Sequence, residues 1–137
     1  MYKGREGKLD HLDPAAIELL NSLDCNIVIS STWRKIMSIE RLREMFEIKG
    51  YVKNQIVDIT PSFDYPSAVR GNEIAEWLRM HVRGISDGVN YAILDDDSDF
   101  LLVQRNNFFH VDAHFGLSPN HIYKINRFFC GKPTCTY

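Results

Sequence analysis

Tyr91-Ala-Ile-Leu-Asp-Asp-Asp-Ser-Asp-Phe100 runs strand-forming residues straight into four carboxylates, Asp95, Asp96, Asp97 and Asp99. Like charges packed at the end of a buried strand repel one another, and that cost falls when a hard cation such as Mg2+ sits among their oxygens. Asp and Ser also suit a solvated acidic turn that caps the next helix. The segment alone supports both readings, so the rest of the chain has to separate them.

Outward from this stretch, helical and strand patterns alternate. Asp13 is a good N-cap with Pro14 at the first helical position, and Ile17, Leu20 and Leu23 form an apolar stripe, which predicts a helix of about three turns. Asn26-Ile-Val-Ile-Ser30 has the profile of a buried parallel strand that delivers the hydroxyls of Ser30, Ser31 and Thr32 to a loop. Ile39, Leu42, Met45, Phe46 and Ile48 recur near helical spacing, and Gly50 stops the pattern as a C-terminal cap would. A second strand is expected at Gln55-Ile-Val-Asp-Ile59, followed by a Pro- and aromatic-containing loop over 60–67 suited to carry specificity.

Residues 73–82 read as a helix with Ile74, Trp77, Leu78 and Met80 on its core side. After the acid-tipped strand come a short helix over 100–103, a strand at 108–111 and a last helix opened by Ser118-Pro119 and running to about 129. Such alternation favours an α/β fold, a parallel sheet with helices on both faces whose ligands bind beyond the carboxyl ends of the strands. That rule gathers Ser30, Ser31, Thr32, Asp95, Asp96 and Asp112 on one rim, with Arg70 in reach from the start of its helix. Hydroxyls, a cation and carboxylates are the parts needed to bind a phosphoryl group and neutralise its charge. Each part also has a plain structural use: the hydroxyls as caps, Arg70 as a helix-face partner of Glu73, Asp112 as a strand terminator.

A chain of 137 residues with 45% hydrophobic and 25% charged residues fits one domain with a real core, spanning 1–137, with 1–9 a flexible basic lead-in and 130–137 a tail. The net charge of -2 argues against bulk nucleic-acid binding, although a local basic patch remains compatible with it. No apolar run is long enough for a membrane span or a signal peptide, so a cytoplasmic location is expected. Lys3-Gly4-Arg5-Glu6-Gly7-Lys8 lacks the spacing of a phosphate-cradling loop. Cys25, Cys130 and Cys135 are expected to stay reduced, and with His110, His114 and His121 they match no zinc-site spacing.

Val28-Ile-Ser-Ser-Thr-Trp-Arg34, Arg70-Gly-Asn-Glu-Ile-Ala-Glu-Trp-Leu78, Tyr91-Ala-Ile-Leu-Asp-Asp-Asp-Ser-Asp-Phe100, and Asp112 followed by Gly116-Leu-Ser118 together resemble the small, capless branch of the haloacid dehalogenase (HAD) superfamily, which includes HAD domains of bacterial and phage RNA-repair proteins. The resemblance runs from about residue 9 to residue 129. It implies a Rossmann-like parallel sheet and Mg2+-dependent phosphoryl transfer through an aspartyl-phosphate. By likeness, Ser30 is the phosphate-binding hydroxyl with Ser31 the neighbouring candidate, Arg70 the basic residue of the third motif, and Asp95 and Asp96 the metal-binding acids.

Family members begin with an apolar strand ending in Asp-x-Asp-Gly-Val/Thr, which supplies the nucleophile, and this sequence has no such motif. Asp10 and Asp13 do not fill the role, since neither follows an apolar strand and Asp13 is explained as an N-cap. The motif is therefore expected upstream of Met1, leaving no catalytic residue in the chain, a metal site weakened by one ligand, and a sheet lacking its first, central strand. Strands neighbour one another at about 4.8 Å, so the two flanking strands either pair directly or take a strand from a protein partner or a second copy.

Three functions remain open at this level. One is a non-catalytic binding or regulatory protein on a HAD-like scaffold, such as a phage-encoded regulator, with a protein partner or a phosphate-bearing ligand. Another is a Mg2+-dependent phosphatase of nucleotides or nucleic-acid terminal phosphates whose first motif lies outside this chain. The last is a structural subunit with a solvated acid cluster.

Overall fold

The computed structural model describes residues 13–64, 69–81, 90–96, 99–112 and 116–130. The expected lead-in over 1–9, the end of the loop at 65–67, Asp97 and the tail after 130 lie outside the described residues.

Helix α1, Pro14–Leu20, starts as the sequence dictates: Asp13 is extended and its Oδ1 accepts from the Ala15 N–H at 3.0 Å. It is shorter than expected because Asn21 turns its amide to other work, donating to Gly50 O and accepting from the Val52 N–H, both at 2.9 Å. Leu23 still reaches the core by way of a tight turn bonded to Leu20 O. Helix α2, Ile39–Ile48, is capped by Ser38 and buries Leu42 and Phe46, while Ile48, expected on the apolar face, is 66% exposed. Gly50, at φ +108°, turns the chain where a side chain would be strained, and the Tyr51 N–H closes back on Phe46 O.

Strands β1, Ile27–Ile29, and β2, Ile56–Ile59, pair in parallel, with Ile29 opposite Ile59. Strands β3, Ile93–Asp95, and β4, Phe108–His110, pair in parallel with Asp95 opposite His110. Among the described residues these are two separate two-stranded sheets, with no strand joining them. The α/β alternation and the parallel pairing expected from the sequence are therefore present, in short sheets.

Helix α3, Arg70–His81, begins three residues before its expected start. Asp99 explains the difference: its side chain accepts from the Arg70 N–H and its carbonyl from the Gly71 N–H, each at 3.1 Å, so a segment distant in sequence caps the helix. The expected core face is also corrected, since Met80 is 61% exposed and the fully buried positions are Gly71 and Glu73. The short helix after β3 is a 3-10 segment, Leu102–Asn107, later than expected; Leu102 and Val103 face solvent and Gln104 is buried instead. Gln104 Nε2 donates to Gly71 O and its Oε1 accepts from the Leu101 N–H, which seats this segment on the start of α3. Helix α4, Pro119–Cys130, closes the described chain and buries Ile122 and Ile125.

Two apolar clusters form the core. Ile17, Ile29, Leu42, Phe46, Tyr51 and Ile56 pack α1 and α2 against the first sheet. Leu23, Ile122 and Ile125 pack α1 and α4 against the second, with Leu94 and Phe109 beside them. Leu20 touches both clusters, so α1 spans the two sheets with apolar contact where strand hydrogen bonds do not. Cys130 is disulfide-bonded, against the expectation of reduced cysteines, while Cys25 is a free thiol whose pKa is raised by burial and, secondarily, by Asp24. No helix of the described residues is long and apolar enough to cross a membrane.

Candidate phosphate site at the strand ends

Both sheets end at one polar cluster. Beyond β1 the chain leaves the sheet through Ser30 and Ser31 and tightens into a 3-10 turn, Thr32–Lys35. That turn swings Arg34 back under the strand ends. Its Nη1 donates to Ser30 O at 2.5 Å and Ser31 O at 2.8 Å, its Nε to Thr60 O at 3.1 Å, and its Nη2 to Pro61 O at 3.2 Å and Glu73 Oε1 at 2.5 Å. Four carbonyls where two parallel strands stop thus accept from one guanidinium, whose planar fork of donors suits the task, and Ser31 O also accepts from the Arg34 backbone N–H at 3.1 Å.

The Arg34 and Glu73 side chains are only 1% and 3% exposed, so this is a buried ion pair. Burial pushes the Arg34 guanidinium below its usual pKa, Glu73 opposes that shift and the nearby Arg70 adds to it. Glu73 is satisfied on its other oxygen as well, where Oε2 accepts from the Phe63 N–H at 2.9 Å.

From Glu73 the network runs on toward solvent. Arg70 Nε lies 3.7 Å from Glu73 Oε1, and Arg70 Nη1 donates to Asp95 Oδ2 at 3.1 Å. The order is Asp95, Arg70, Glu73, Arg34, with the Asp95 and Arg70 side chains 14% and 19% exposed. The carboxyl end of β3 is therefore tied to the carboxyl ends of β1 and β2 by alternating charges, carried on the first turn of α3.

The structure brings Arg70 and Asp95 into direct contact and leaves Ser30 on the same rim, half-buried, with its carbonyl under Arg34. Asp96 follows at the strand end, its carbonyl bonded to His110 Nε2 at 3.1 Å. Ser31 has a structural use: its Oγ caps the 3-10 turn by accepting from the Trp33 N–H at 3.2 Å. Arg70 also makes the helix-face contact with Glu73 that its spacing suggests, so both readings of that residue hold at once. Asp112 forms an isolated bridge with Gly116, two residues past the end of β4.

Arg34 and Glu73 had no assigned role in the sequence reading beyond that helix-face partnership. The available signal was the pairing of a cation one turn past a strand end with an acid on the first turn of a helix, each among apolar neighbours.

Of the histidines considered with the cysteines, His110 and His121 serve the backbone, and His114 lies outside the described residues. His121 Nε2 bonds to His110 O at 2.8 Å, which leaves Nδ1 to accept from the Ser118 N–H and hydroxyl at 3.0 and 2.8 Å. This is a capping arrangement with His in place of the usual Glu, and it fixes the start of α4 against the end of β4.

Among the described residues no group of three or more His, Cys, Asp or Glu side chains gathers as a metal-binding set. Asp95 already holds a guanidinium on one oxygen, so the described side chains do not make a metal centre as they stand.

The family model described as the HAD domain in Swiss Army Knife RNA repair proteins matches residues 2–122. The chain belongs to that family. Its fold is HAD-like, and Mg2+ is the metal that the family in general uses. No curated protein and no solved structure gave a match.

Proposed function

We propose that this HAD domain is a non-catalytic binding or regulatory protein that holds a phosphate-bearing nucleotide or nucleic-acid end at the strand-end cluster without transferring the phosphoryl group. The observation that carries this reading is the Arg70–Asp95 pair at 3.1 Å. The cation that would grip phosphate and the acid that would grip metal neutralise each other, and no Asp-x-Asp-Gly motif stands in this sequence to attack phosphorus. Ser30 and the outer face of Arg70 then supply a hydroxyl and a guanidinium for phosphate, a charge-assisted contact suited to binding alone. Completion of the sheet by a protein partner or a second copy accompanies this reading, because the described strands form two pairs rather than one sheet.

The family's description favours a second reading, a Mg2+-dependent phosphatase of nucleotides or nucleic-acid termini in which Asp95 and Asp96 hold the metal. Hydrolysis of 5'- and 3'-phosphorylated oligonucleotides with millimolar Mg2+ separates the two. The binding reading expects no turnover, and turnover abolished by Asp95→Asn or Asp96→Asn would overturn it. Sedimentation of the full chain, alone and in Mg2+, tests self-association directly.

A further inference from the structure

The loop after β2 is held unusually firmly for a loop. Thr60 and Pro61 give their carbonyls to Arg34 and Phe63 gives its N–H to Glu73, the same two residues that build the strand-end cluster. One carboxylate, that of Glu73, thus fixes the backbone of Phe63 at 2.9 Å on one oxygen and faces Arg70 at 3.7 Å on the other. The aromatic residue and the outer cation are therefore placed within two contacts of each other by a buried hub.

Phe63 itself stands outside both apolar clusters of the described residues. It is half-buried, yet it is not among the residues packed against them. At the base of the same loop, Thr60 is 4% exposed and its Oγ1 has no hydrogen-bond partner among the described residues. A buried hydroxyl without a partner is costly.

We propose that the 60–64 loop is a nucleobase subsite, in which the Phe63 ring stacks on the terminal base of a nucleotide whose phosphate lies at Arg70 and Ser30. This rests on the phosphate-binding reading given above. Base stacking needs a flat apolar surface pre-set against a phosphate anchor, and every base has a π-face, so such a site accepts terminal nucleotides with little regard to sequence. The net charge of -2 fits a short ligand gripped at its end better than a long duplex bound through many phosphates. Three hydrogen bonds to the loop backbone hold it in place before the ligand arrives, so little ordering cost remains to be met on binding.

The test is equilibrium binding to the full chain of three probes: a 5'-phosphorylated trinucleotide, the same trinucleotide with an abasic first residue, and inorganic phosphate. For wild type, the base-bearing probe is expected to bind about 5- to 150-fold more tightly than the abasic one, the range that base stacking on an aromatic side chain supports. Phe63→Ala should erase that ratio and leave inorganic phosphate unchanged, since the loop is held by backbone groups that the substitution keeps. Phe63→Trp should preserve or increase the ratio. Arg70→Ala should weaken all three probes.

Equal binding of base-bearing and abasic probes by wild type, with Arg70 still required, would overturn the subsite and leave the phosphate reading standing. Failure of wild type to bind any of the three would remove both. A ratio that survives in Phe63→Ala would place the base elsewhere and equally refute the proposal.

Discussion

Removing Arg34 should be the most damaging single change to this fold at the strand ends. Arg34→Ala strips Glu73 of its buried cation, leaving that carboxylate with the Phe63 N–H and with Arg70 3.7 Å away, and it also takes the guanidinium from the carbonyls of Ser30, Thr60 and Pro61, while Ser31 O keeps the backbone N–H of residue 34. Breaking a buried pair from one side costs about 3–5 kcal/mol, because an uncompensated charge stays inside. Against a total stability of roughly 5–15 kcal/mol, a loss of that size is a large share. Glu73→Ala should cost less, since Arg34 would keep its four carbonyl acceptors and a ring of neutral dipoles still solvates it.

Urea unfolding gives both values as shifts in midpoint at constant slope. The double variant completes the cycle, with an expected coupling of about 1–3 kcal/mol, because the second substitution removes the charge that the first left stranded. Additive losses below about 1 kcal/mol each would show that the pair is solvated in practice and would refute the reasoning. Arg34→Met with Glu73→Leu should lie closer to wild type than either Ala variant alone, since apolar replacement of both charges avoids the stranded ion.

Gly71→Ala offers a second test, because a Cβ there would sit 2.7 Å from Leu101 N, 2.8 Å from Gln104 Oε1 and 3.0 Å from the Phe100 Cα. The usual helix gain of about 1 kcal/mol should be outweighed by about 1–3 kcal/mol of overpacking, seen as a lower melting temperature. Trp77→Phe should cost about 1 kcal/mol by deleting the bond from its indole N–H to Asp58 Oδ2 at 2.8 Å, again read by urea midpoint. Cys25, with its thiol pKa raised by burial and by Asp24, should be alkylated by iodoacetamide at pH 8 more slowly than glutathione; a rate above that of glutathione would contradict the burial shown.

Sequence patterns located almost every element because each is specified locally. Asp13-Pro14, Ser38, Gly50 and Ser118-Pro119 mark helix ends by rules that need only near neighbours, and the β-branched runs at 27–29 and 56–59 can do little but form buried strands. What was not legible depends on long-range partners. The early start of α3 is set by Asp99, twenty-nine residues on, and the burial of Glu73 by Arg34, thirty-nine residues before it. The apolar positions Met80, Leu102 and Val103 face solvent because periodicity says which residues share a face and not whether another element covers it. The meeting of Arg70 and Asp95 was legible for the opposite reason: parallel strands end on one side, so the end of β3 and the start of α3 were expected to lie within reach of each other.

Asp95→Asn separates the binding reading from the metal-dependent one through the charge balance of the cluster. Asp95, Arg70, Glu73 and Arg34 sum to zero when each carries its usual charge, so a phosphate dianion that arrives at Arg70 must compete with Asp95 for the same guanidinium. Substituting Asn removes that competitor while keeping the shape. In the presence of EDTA, inorganic phosphate should therefore bind Asp95→Asn more tightly than wild type, by about tenfold, since a charge-assisted bond of this kind carries about 1.5–3 kcal/mol and part of it is retained by Asn. A metal-dependent site predicts the reverse in millimolar Mg2+, where loss of a ligand carboxylate weakens the cation and with it the phosphate. Titrating both proteins with phosphate, with and without Mg2+, gives four affinities. Weaker binding by Asp95→Asn under both conditions would mean that Asp95 assists phosphate rather than opposing it, and the pairing with Arg70 could no longer be the reason the chain binds without turning over.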